Sequence, residues 1–92
     1  KEAVLESLSD CIIVQSDSIL MIIRKENEQL IKEYSKMMKD PERSGNIQID
    51  ANCSISMSPG KRALVQGLND CVIVEEEDHL IVATKEYFDS VN

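Results

Sequence analysis

Seventeen acidic residues against ten basic ones give this 92-residue chain a net charge of −7, which disfavours nucleic-acid phosphates and anionic membrane surfaces as partners. At 42% apolar but 3% aromatic, it suffices for one domain with a modest aliphatic core. No stretch approaches the ~20 apolar residues that span a bilayer.

The first element in chain order is a short strand over residues 3–8. Ser9-Asp10 breaks it, residues 11–14 form a second strand, and residues 15–18 a polar turn. Residues 19–23 are apolar on both faces, which predicts a central or covered strand. From Lys25 to Lys39 the period changes: Leu30, Ile31, Tyr34, Met37 and Met38 fall on one helical face. Glu26 and Glu28 in the first turn and Lys36 and Lys39 in the last complement the helix dipole, and Asp40-Pro41 ends the helix. The methionine stripe can bind a partner, but packing on the sheet is the simpler expectation.

After a polar linker, Ile47, Ile49, Ala51, Cys53, Ile55 and Met57 alternate with polar residues, which predicts extended chain with one buried face, broken near 50–52. A turn over 58–61 leads to strands at 63–68, 71–74 and 80–83, with turns at 69–70 and 75–78, and then a short helix over 86–91.

These last strands repeat the first three. Residues 3–26 and 63–86 align without a gap at an offset of sixty, with Ala3/Ala63, Leu8/Leu68, Asp10/Asp70, Cys11/Cys71, Leu20/Leu80 and Lys25/Lys85 among the identities. The expected fold is β-rich α+β: a short-strand repeat, β-helix-like or meander, with one amphipathic helix packed on it. It is a single domain of two related units: 1–40, with helix 25–39, and 46–92. The alternating segment before the second copy has its counterpart below position 1. With a chain that opens on Lys1, this is expected of a fragment cut from a longer polypeptide.

The reactive residue types have plain structural readings. Cys11, Cys53 and Cys71 lack CxxC or His-spaced patterning, so reduced, buried thiols in a cytoplasmic setting are expected rather than a disulfide framework or zinc site. Pro59-Gly60-Lys61-Arg62 offers backbone amides and two cations to a phosphate, or is a surface turn. Asp10 and Asp70 suit acid–base or metal chemistry, or turn formation between strands. Glu75-Glu76-Glu77-Asp78 suits a cation, or a solvated hairpin tip. His79, the sole histidine, has no evident triad partner. No catalytic, cofactor-binding or metal residue is assigned.

Residues 52–83 resemble the C-terminal tail of mannose-1-phosphate guanylyltransferases. The likeness lies in Pro59-Gly60-Lys61, in Val65-Gln66-Gly67-Leu68-Asn69-Asp70, and in the acidic turn 75–78 before an aliphatic strand. Residues 24–34 resemble the basic, Glu-Gln-containing closing helix of the same tail. The tail unit occurs twice here, and Ser7 stands where the second copy has Gly67. The resemblance implies a non-catalytic, β-helix-like structural or oligomerisation domain, packed on an upstream catalytic domain of the same polypeptide and on a twin subunit. The parent would use Mg²⁺ in moving GMP from GTP to mannose 1-phosphate. That family's Gly-rich nucleotide loop has no counterpart among Gly45, Gly60 and Gly67. Two other readings are a free-standing protein-interaction module and a small-ligand regulatory domain with a site between the copies.

Overall fold

The structure, a computed structural model, describes residues 2–6 and 10–91, with the backbone alone for residues 2–6, Phe88 and Val91. The end of the first expected strand and Ser7 lie outside the described residues. In order come β1 (Glu2–Glu6), β2 (Cys11–Gln15), β3 (Ile19–Arg24), a 3₁₀ segment (Lys25–Leu30), α1 (Ile31–Lys39), β4 (Ile47–Ile49), β5 (Asn52–Ser56), β6 (Arg62–Gln66), β7 (Asn69–Glu76), β8 (His79–Thr84) and α2 (Lys85–Val91).

The strands form two four-stranded mixed sheets, ordered β1-β8-β7-β5 and β2-β3-β6-β4. β3 is central, as its two apolar faces require, and is buried from Leu20 to Ile23.

Neither copy is the expected meander. β2–β3 and β7–β8 are antiparallel hairpins. But β1 pairs in parallel with β8, and β6 in parallel with β3, so each copy's opening strand lies beside the other copy's hairpin. The registers correspond: Ala3 faces Leu80 as Ala63 faces Leu20, and Cys11 faces Arg24 as Cys71 faces Thr84. The cause lies in the links. Asp10 and Asp70 both adopt a left-handed φ of 52°, and Gly67 one of 76°. Asp10 just before β2 and Gly67 between β6 and β7 stand where the chain passes from one sheet to the other, whereas Asp70 lies inside β7 at an irregularity in its pairing with β5. The strand expected over 63–68 accordingly stops at Gln66.

Asp50 (φ 49°) makes the same crossing between β4 and β5, which pair in parallel with β6 and β7. The alternating segment therefore serves two cores rather than one face. Cys53, Ile55 and Met57 pack into the interior between the sheets, around Leu20, Ile22, Val65, Ile73, Leu80 and Val82. Ile47 and Ile49 pack on the opposite side, under α1. Each large aliphatic side chain fully removed from water contributes roughly 1.5–3 kcal/mol.

The expected helix over 25–39 is two pieces. Arg24 supplies no side-chain cap, and Asn27 departs from helical geometry (φ −109°, ψ 22°), so the chain is wound as 3₁₀ until Leu30. The α-helical part buries Tyr34 and Met38 on Met21, Ile23 and Leu64, with Leu30, Ile31 and Met37 beside them. The methionine stripe is thus a packing face.

Candidate functional site at the acidic hairpin

A shallow cleft of about 500 Å³ opens between segments 56–59 and 75–79, lined by Pro59 of the candidate turn and by the acidic run. The acidic run is not one solvated tip. β7 continues through Glu76, whose partner is His79, leaving Glu77-Asp78 as a two-residue turn. Cys71, Ile73 and Glu75 alternate inward along β7, so Glu75 is 1% exposed.

A buried carboxylate requires partners. Lys61 Nζ lies 2.7 Å from Glu75 Oε2, and Ser58 N donates to Oε1 at 3.1 Å. Ser58 Oγ donates to the Glu75 carbonyl at 3.2 Å and accepts from Glu77 N at 3.3 Å. The lysine considered for phosphate is thus held against a carboxylate. Arg62 donates from Nε to Gly45 O at 2.9 Å and from Nη1 to Met38 O at 2.8 Å, holding the carbonyl end of α1. Its Nη2 is buried without a hydrogen-bond partner among the described residues.

The other candidates lie elsewhere. Asp10 and Asp70 are exposed and left-handed; Asp10 lies just before β2, but the turn expected over 69–70 is the start of β7, where Asp70 sits at an irregularity in the β5–β7 pairing and its N donates to Asn52 Oδ1 at 2.6 Å. Gly67 N donates to Ile49 O, and Gln48 bonds both N and O of Cys53, tying neighbouring crossings together. His79 is exposed at the start of β8.

Cys11 and Cys71 border the same interior cluster, each preceded by its left-handed aspartate, and Cys53 faces Cys71 across β5–β7. All three are reduced thiols. Burial pushes the Cys71 thiol up to about 11, with the neighbouring Cys53 adding to the effect; burial raises Cys53 and Cys11 too. Thiols so shifted stay protonated near neutrality and are weak nucleophiles. Among the described residues no group of three His, Cys, Asp or Glu side chains can hold a metal ion, and no helix is long and apolar enough to cross a membrane.

The sequence reading missed the Lys61–Glu75 pair. Its signal was there: Glu75 continues the period-two series of Cys71 and Ile73. Compared with family models, with curated proteins and with solved structures, the chain matches none.

Proposed function

We propose that this chain is a non-catalytic structural domain that works by docking against other polypeptide surfaces. Its two sequence copies would stack as a short β-helix-like repeat. A mannose-1-phosphate guanylyltransferase-like nucleotidyltransferase is the parent suggested by the Gly67-Leu68-Asn69-Asp70 element, with an upstream catalytic domain and a twin subunit as partners and Mg²⁺ chemistry in that catalytic domain.

The observation that carries the reading is how the polar groups are used. Lys61 and the buried Glu75 are engaged with each other at 2.7 Å, and Arg62 with the carbonyls of Gly45 and Met38 at 2.9 and 2.8 Å, so these cations serve the fold itself. The border strands β1, β5, β2 and β4 offer backbone edges of the kind that pair with further chain.

The test is direct. The purified chain, incubated with GTP, mannose 1-phosphate and Mg²⁺, should release no pyrophosphate. Release above the protein-free blank would put chemistry in this chain and overturn the proposal.

A further inference from the structure

We infer that Cys53 and Cys71 are a redox pair: a small-molecule disulfide oxidises them to a bridge that fastens the border strand β5 to β7. The inference stands apart from the docking role proposed above.

An irregularity brings the two residues together. β5 and β7 run in parallel with Asn52 opposite Asn69, but the next partners are Cys53 and Cys71, so Asp70 is passed over. An extra residue in one strand re-aims the side chains that follow it. Asp70 takes up the extra length with its left-handed φ of 52°. Had the register run on unbroken, Cys53 would face Asp70, and Cys71 would face Ser54, on the other side of the sheet. Instead both thiols face the interior cluster that holds Leu20, Ile22, Val65 and Ile73. Partners in adjacent strands lie roughly 5 Å apart, within the Cα separation that a disulfide spans.

The backbone around the pair is held from both sides. Gln48 accepts from Cys53 N at 2.7 Å and donates to Cys53 O at 3.1 Å. Asn52 N donates to Leu68 O at 3.0 Å, and Asp70 N donates to Asn52 Oδ1 at 2.6 Å. The thiols themselves donate to consecutive carbonyls of the crossing between β6 and β7, Cys53 to Leu68 O at 3.5 Å and Cys71 to Asn69 O at 3.4 Å. Oxidation replaces these two weak S–H bonds by one covalent bond between groups already in place. Cys11, the counterpart of Cys71, also follows a left-handed aspartate, but its strand partner is Arg24.

Cys53 is half-buried and Cys71 is 4% exposed, so exchange begins at Cys53. Its thiolate attacks one sulfur of the reagent RSSR, whose S–S bond breaks, and the first RS⁻ leaves and is protonated. The Cys71 thiolate then attacks Cys53 Sγ and expels the second RS⁻, protonated in turn. Two protein thiols and one RSSR become one Cys53–Cys71 disulfide and two RSH; the protein loses two electrons and two protons, and the reagent gains them. Burial keeps both thiols protonated near neutrality, and the Asp70 carboxylate adds to this at each, as Cys11 does at Cys71. The pair therefore reacts slowly at pH 7 and faster toward pH 9.

The test treats the full chain with oxidised glutathione from pH 7 to 9, quenches with acid and maps the products by mass spectrometry. The chain should lose two hydrogens and carry a Cys53–Cys71 link, formed about tenfold faster per pH unit. Its urea midpoint should rise, because the link closes the loop between the two strands. Cys11→Ser should leave rate and link unchanged, and Cys71→Ala should stop with one glutathione on Cys53. Three unreacted thiols at pH 9, a link that includes Cys11, or glutathione accumulating on the unsubstituted chain without a link would each overturn the inference. So would a link that forms only in urea, which would assign it to the unfolded chain.

Discussion

Lys61 Nζ sits 2.7 Å from Glu75 Oε2 and ties the turn before β6 to the last inward-facing position of β7. The carboxylate is 1% exposed while the lysine side chain is 28% exposed, so the glutamate bears most of the desolvation and depends on its partner. Lys61→Met should strand a buried charge and lower stability by about 3 kcal/mol, seen as a lower urea midpoint. Lys61→Met/Glu75→Leu should recover most of that loss. Strictly additive effects of the two substitutions would show that the groups do not act as a pair.

Thiol burial sets an alkaline limit. The Cys71 thiol is raised from 9.0 to about 11 in the folded chain, first by desolvation and then by Cys53. Between these values the unfolded chain has lost the proton that the folded chain keeps, so unfolding gains from rising pH. This group should leave stability unchanged below pH 9 and remove roughly 2 kcal/mol by pH 11. Chemical denaturation from pH 7 to 11 checks it. Cys71→Ala should flatten the decline relative to the unsubstituted chain, and equal slopes would contradict the assignment.

Two left-handed glycines should respond unequally to alanine. A Cβ added at Gly60 (φ 84°) would meet nothing within 4 Å, whereas one added at Gly67 (φ 76°) would lie 2.5 Å from Arg24 Cγ. Gly60→Ala should cost only the backbone strain, about 1 kcal/mol. Gly67→Ala should cost more, since it must also displace the Arg24 side chain, whose backbone N is held by Gln66 Oε1 at 3.0 Å. Thermal midpoints of the two variants give the comparison, and equal shifts would mean that Arg24 yields freely.

Much of the local structure was legible in the residues. Ile19–Ile23, apolar on both faces, marked a covered strand and is central. The 3.6 periodicity of Leu30, Ile31, Tyr34 and Met38 marked the helix face that meets the sheet. Asp50 fell within the expected break and carries a left-handed φ. The candidate site was legible only in part. Glu75 sits in a run of four acidic residues, and composition hid the alternation that points it inward beside Lys61.

Sequence alone determined that the chain is strand-rich, which face of the helix meets the sheet, and the sixty-residue correspondence of the two copies, because side-chain period and turn chemistry are local properties. Only the tertiary structure decided that β1 lies beside β8, that β6 lies beside β3, and that Ile47 and Ile55 serve opposite cores. Period two states that a strand has two faces but not which strand borders it. That choice follows from where the left-handed residues at positions 10, 50 and 67 send the chain, and from which pairing encloses the most aliphatic surface.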